Sequence, residues 1–196
     1  MDKIKSPITE SFNVQVEESF PAAKIIELYN ESRIDVKRFF HSNNVHVCRC
    51  LDSGYRFYYP FDICGDGAFY QSLRFFPGYF REWKWEYGKV SKIINKEIKQ
   101  VLEVGCGNGV FMNFLKNKGI DCVGLELNRE SVEECKAKGL AVKAELLSEH
   151  KLNSKEKYDM VCSFQVLEHI PDVRGFITDS LFALKKGGLL VFAVPN

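Results

Sequence analysis

Three glycines at alternate positions, Gly105, Gly107 and Gly109, stand between the apolar runs VLEV and VFMNFL. Glycines so spaced let the backbone bend sharply and let a ligand approach main-chain N–H groups at the start of a helix, a device used for phosphates, dinucleotides and other adenosine-bearing molecules. The dinucleotide fingerprint G-x-G-x-x-G/A needs a small residue where Val110 stands, and no Gly-Lys-Ser/Thr follows as a phosphate-binding loop requires. Glu103, immediately ahead of the turn, would repel a pyrophosphate but attract the ammonium or sulfonium of an amino-acid-like ligand. It could equally stabilise the start of the following helix through the helix dipole. Charge thus favours a cationic cofactor.

The elements that must hold this turn are legible from Gln100 onward. Strand-like VLEV, CVGLEL, LAVKAE, YDMVCSF and LLVFAVP alternate with helix-like VFMNFLKNKG, ESVEECKAKG and FITDSLFALKKG, with a polar loop before Tyr158. This alternation implies right-handed βαβ crossovers and an α/β, Rossmann-like fold, a mainly parallel sheet of five strands with helices on both faces. Gly119, Gly139 and Gly187 are placed to end the three helices in left-handed caps. In such a sheet a ligand sits at the carboxyl ends of the strands, where the turn after Val104 lies.

Residues 1–80 read differently and form an N-terminal helical and hairpin extension, or lid, ahead of a core at 81–196. Of the 26 aromatic residues, 14 fall between Tyr55 and Tyr87, which marks the change of character. A helix is expected over Pro21–Glu31, a hairpin in VHVCRCLDSGYRFYYP, and helices in FYQSLRFF and YFREWKWEYGKVSKIINKEI. In the last of these, Phe80, Trp83, Tyr87, Val90 and Ile94 are spaced for one buried face.

With 27 basic and 26 acidic residues and neither sign in blocks, nothing points to a nucleic-acid or membrane partner. No apolar run spans a membrane and no export signal is evident, so a cytoplasmic protein with reduced thiols is expected. Cys48, Cys50 and Cys64, with His41 and His46 nearby, form the one cysteine cluster. Their C-x-C spacing lacks the paired knuckles of a zinc ribbon, and buried or half-exposed thiols are the expectation rather than a metal site.

VLEVGCGNG, followed by GLELN and YDMVCSFQVLEHIPD, resembles the class I S-adenosylmethionine-dependent methyltransferases, in particular their small-molecule subgroup, over about residues 80–196. The resemblance implies S-adenosylmethionine as cofactor and S-adenosylhomocysteine as product. It implies that Glu103, Gly105, Cys106, Gly107, Asn108 and Gly109 form the cofactor turn, and that Glu126 holds the two ribose hydroxyls, with Leu127 and Asn128 against the adenine. Glu145 would accept from the adenine amino group, with the Leu146 N–H beside it. Phe164 and Gln165 would touch the methionine part, and Tyr79, Phe80 and Trp85 would belong to a lid. His169, in the LEH element, is read either as a base on an acceptor hydroxyl or as an orienting residue. Methyl transfer from a sulfonium can rest largely on alignment and desolvation.

This class carries two further strands that help cover the acceptor pocket, whereas the chain reaches LLVFAVPN, the fifth. The expectation is a chain that binds the cofactor and methylates poorly. No N-P-P-[FY] element follows the fourth strand, which argues against amino-methylation of DNA or protein glutamine and leaves a small-molecule acceptor. Oligomeric state is not legible. Two other classes remain open: a nucleotide-linked oxidoreductase, disfavoured by Val110 and Glu103, and a non-catalytic cofactor- or zinc-binding module.

Overall fold

The computed structural model describes residues 3–73 and 83–195. The chain divides into two compact units, residues 1–77 with 171–174, and residues 78–170 with 175–196. The expected lid residues Tyr79 and Phe80 lie outside the described residues.

In the first unit β1 (Val14–Pro21) leads into α1 (Ala22–Glu31), followed by β2 (Asn44–Cys50), β3 (Arg56–Tyr59) and α2 (Gly67–Leu73). The strands form an antiparallel sheet in the order β1-β2-β3, so the expected hairpin gains a third strand. Every residue of β1 is at least partly exposed, and three of its eight residues are Glu or Ser, which is why it does not read as a strand. Cys48 and Cys50, two residues apart on β2, point to the same face and are wholly buried with Phe57. Cys64 is exposed, its thiol near the Phe61 carbonyl. Among the described residues no group of three or more His, Cys, Asp or Glu is arranged to hold a metal ion.

The second unit opens with α3 (Trp85–Ile93) and continues β4 (Gln100–Val104), α4 (Val110–Asn117), β5 (Asp121–Leu125), α5 (Arg129–Ala137), β6 (Ala141–Lys143), α6 (Leu147–His150), β7 (Tyr158–Phe164), α7 (Val173–Ala183) and β8 (Leu184–Ala193). All four pairings are parallel, and the strand order is β6-β5-β4-β7-β8. The order reverses at β4, whose neighbours β5 and β7 follow it in opposite directions across the sheet. A crevice at that switch point is where such sheets take ligands.

Alternation along the central strands separates two cores. Val101, Met160 and Cys162 pack with Tyr87 and Val90 of α3 and Phe111 and Leu115 of α4. Leu102 and Val161 pack with Leu147 of α6 and Phe176 and Ala183 of α7. Met112 of α4 joins Val132 and Cys135 of α5 on the first side. Helices thus cover both faces, and buried side chains on both faces explain the near-continuous apolar reading of these strands.

Three sequence expectations are corrected. The long helix over 79–98 is confined, among the described residues, to α3: after Ile93 the Asn95 side chain accepts the Glu97 N–H at 2.9 Å and turns the chain toward β4. Gly119 and Gly139 do follow helix ends with φ of +70° and +65°, but Gly187 does not cap a helix. α7 ends at Ala183, and Gly187 lies inside β8 at φ +78°, where the register with β7 shifts between Tyr158 and Met160. Its neighbour Gly188 passes so close that a Cβ would stand 2.9 Å from the Asp159 carbonyl oxygen. The polar loop before Tyr158 contains α6. Among the described residues no helix is long and apolar enough to cross a membrane.

Candidate cofactor site

All three turn glycines adopt positive φ, +72° at Gly105, +55° at Gly107 and +75° at Gly109, a region that costs other residues about 1–2 kcal/mol. Two of them are also sterically required. A Cβ on Gly105 would stand 2.4 Å from Val166 Cγ2, and one on Gly109 2.5 Å from Leu140 Cδ1. The turn is anchored to the neighbouring strand because the Gly105 and Cys106 N–H groups both donate to the Leu125 carbonyl, at 2.8 and 3.1 Å. Cys106 is buried toward β5, its sulfur lying where a Cβ on Gly124 would go. Asn108 is fixed through its carbonyl, which accepts from Lys138 Nζ at 2.8 Å.

Glu126, just beyond β5, binds this turn to the next helix. One carboxylate oxygen accepts from the Gly107 N–H at 2.9 Å and the other from the Asn128 N–H at 2.8 Å. Asn128 caps α5, its side chain accepting the Ser131 N–H at 3.0 Å. A carboxylate has about four acceptor positions, so two remain for hydroxyl donors. Leu127 is 62% exposed and Leu146 50% exposed, an apolar pair beyond the ends of the adjacent strands β5 and β6.

Glu103 lies beneath the turn and is buried, and its Oε2 has no hydrogen-bond donor. Burial pushes its pKa well above the carboxylate range, against the pull of the Lys84 ammonium and of a main-chain hydrogen bond from Met112 in the first turn of α4. Phe164 is buried with its ring 4.9 Å from that of Tyr87 and 5.1 Å from that of Phe111. Gln165 follows at φ +59°, with its amide donating to Glu86 at 2.8 Å. His169 sits on the short 3₁₀ turn Leu167–His169, its N–H donating to Val166, the residue packed against Gly105. Burial holds the imidazole below its ordinary pKa, while the Glu168 carboxylate, 3.8 Å away, acts the other way.

The structure therefore joins Glu103, the glycine turn, Glu126 and Asn128 directly, and places Phe164, Gln165 and the His169 turn beside them. The two groups expected at the adenine have partners within their own loop. Glu145 Oε1 lies 2.5 Å from His150 Nδ1 and 3.2 Å from Lys143 Nζ, and the Leu146 N–H donates to Glu149 at 2.8 Å. His150, buried, reaches the Tyr158 hydroxyl with Nε2 at 2.7 Å. The His150 bond is the main cause holding Glu145 below its usual pKa, and an ionised Glu145 makes Nδ1 the donor. Trp85 opens α3 and is 66% exposed. Sequence reasoning missed His150 and Glu86: both look like solvated residues in polar or amphipathic stretches, and only their burial at 4% and 6% singles them out.

A parallel sheet in this order, with a glycine turn after its central strand and acidic residues at the ends of that strand and the next, defines a class I S-adenosylmethionine-dependent methyltransferase core. Residues 77–196 match the family model described as a methyltransferase domain, and the chain belongs to that family. It is 31% identical over 104 residues to the ubiquinone biosynthesis O-methyltransferase of Aliivibrio fischeri strain MJ11, covering 50% of this chain and 44% of the relative. The enzyme of that name from Pelagibacter ubique is 30% identical over 105 residues, covering 52% and 43%. The chain thus spans less than half the length of these curated relatives. Among solved structures, a Listeria monocytogenes protein assigned to the S-adenosylmethionine-dependent methyltransferases superposes with a TM-score of 0.50 at 22% identity, covering 56% of this chain and 54% of that one. The donorless buried oxygen of Glu103 and the open glycine turn above it fit a cofactor that carries cationic groups.

Proposed function

We propose that the chain binds S-adenosylmethionine at the glycine turn and transfers its methyl group to a small-molecule acceptor. The observation that carries this reading is the Glu126 carboxylate tied to both the Gly107 and Asn128 N–H groups above the buried Glu103. Oxygen is the acceptor atom favoured by the names of the curated relatives. When bound, the cofactor supplies a methyl group on a positively charged sulfur, a carbon already activated for displacement.

The protein's own work is then placement. Glu126 holds the ribose hydroxyls with its two remaining acceptor positions, and Leu127 and Leu146, both exposed, offer apolar surface to the adenine. Glu103 meets the cationic amino-acid end, where a positive charge stabilises the ionised form that burial otherwise disfavours. Phe164 and Tyr87 keep water from the region beside Gln165. His169, whose neutral form burial favours, would accept the proton of the acceptor's hydroxyl as the methyl group leaves sulfur for that oxygen. The test is calorimetry with S-adenosylhomocysteine, followed by radiolabelled methyl transfer to pooled small-molecule hydroxyl compounds. Binding of the product is expected; folded protein that binds neither it nor S-adenosylmethionine overturns the reading.

A further inference from the structure

Buried polar atoms normally find a partner, and the exceptions call for an explanation. Among the described residues three side-chain atoms are buried with none: Glu103 Oε2, Ser163 Oγ and Glu86 Oε2. Glu103 already belongs to the glycine-turn site. Glu86 lies on α3, ahead of the first strand of the parallel sheet, and is 6% exposed.

Its position is fixed from the other side of the site. Glu86 Oε1 accepts from Gln165 Nε2 at 2.8 Å, and Gln165 holds φ at +59°, an uncommon and costly conformation for a residue with a side chain. The Gln165 N–H donates to the Ala193 carbonyl at 2.7 Å. The residue before it, Phe164, packs on Tyr87, and the residue after it, Val166, packs on Gly105. The Glu86–Gln165 pair is therefore set between Tyr87 and the first glycine of the turn. The Tyr87 hydroxyl, whose pKa burial raises, also feels both the Glu103 and the Glu86 carboxylates. Glu103 shares a face of β4 with Val101, which packs with Tyr87, so both carboxyl groups that hold an oxygen without a donor lie on the Tyr87 side of the sheet. Among the described residues a cation acting on Glu103 is Lys84. Each of the two carboxyl groups thus leaves one buried oxygen open to an N–H donor.

We propose that Glu86 is a ligand-binding residue: with Glu103 it accepts N–H donors from a primary ammonium group, the amino end of S-adenosylmethionine, and Gln165 is the positioning residue that orients it. An ammonium has three donors, so it can meet both carboxylates at once. This assignment rests on the proposed function.

The test compares two ligands on the intact chain by calorimetry, supported by ligand-observed magnetic resonance. S-adenosylhomocysteine carries the ammonium, and methylthioadenosine has the same adenosine thioether without the amino acid. Glu86→Gln keeps the shape and removes the charge. Its affinity for S-adenosylhomocysteine is expected to fall about 10- to 100-fold, as for a lost charge-assisted hydrogen bond. Its affinity for methylthioadenosine is expected to stay unchanged. Gln165→Leu, which frees Glu86 while leaving its charge, is expected to give a smaller loss confined to the same ligand, and it decides the matter if Glu86→Gln fails to fold. Equal losses for both ligands, or no loss for either, overturn the proposal. Wild-type protein that binds neither ligand instead overturns the proposed function, so the two failures are distinguishable.

Discussion

Glu103→Gln separates what this carboxyl does for a ligand from what it does to the fold. The side chain is 1% exposed and Oε2 has no donor, while Gln has the same shape and can still accept a main-chain hydrogen bond. If an ammonium meets Glu103, the variant forfeits one hydrogen bond to a charged group, about 1.5–3 kcal/mol. That corresponds to roughly 10- to 100-fold weaker binding of S-adenosylhomocysteine. The ligand-free protein has a pH dependence of definite sign. Burial raises the folded-state pKa, so the folded state keeps a proton that the unfolded chain releases. The stabilisation is complete below the ordinary carboxylate range and is lost as pH rises through the raised value. Denaturation midpoints of the wild type should therefore decline relative to the Gln variant as pH increases from acid to alkaline. A cationic ligand favours the ionised carboxylate, so binding by the wild type should release a proton. Calorimetric enthalpies should then differ between phosphate and Tris buffers, and that difference should shrink in the variant. Unchanged affinity, together with buffer-independent heats and parallel pH profiles, would refute the reasoning.

Gly105→Ala and Gly119→Ala both place a methyl group at φ near +70°, but nothing lies within 4 Å of the Gly119 position, whereas the Gly105 methyl would overlap Val166 at 2.4 Å. Urea denaturation should find the first variant less stable than the second by about 1–3 kcal/mol, the usual cost of overpacking. Glu126→Ala removes the acceptor shared by the Gly107 and Asn128 N–H groups, and it should weaken S-adenosylhomocysteine binding about tenfold or more by calorimetry. His150→Ala strips the buried Tyr158 hydroxyl of its partner and should cost about 1–3 kcal/mol, a fall in Tm of roughly 2–10 °C. Glu145 gives that variant a further signature. Its pKa is held down chiefly by His150, a stabilisation present above the ordinary carboxylate pKa and lost as pH falls through the depressed value. Without His150 the acid side of the stability profile should therefore flatten, as pH-dependent melting would record.

The parallel sheet is legible because its central strands are buried on both faces: six of the seven residues of β7 are buried, and so are four of the five of β4. The glycine turn is legible because positive φ restricts the residue type. β1 is hidden because a strand with both faces open to some degree carries no apolar alternation. Gly187 misleads because positive φ serves a helix cap and an irregular strand start alike, and only the register shift beside Asp159 distinguishes them. Glu86 shows the deeper difficulty. Beside Tyr87 on the buried face, the helical pattern leaves the acid to water, yet Glu86 is only 6% exposed. Its partner is Gln165, a residue 79 positions later that donates to Glu86. Periodicity registers what an element buries in its own repeat; it carries no record of a partner arriving from another strand. A site assembled from α3, β4, β5 and β7 becomes visible through the acceptors that the folded chain leaves without donors, because those are the groups a ligand can satisfy better than the protein does.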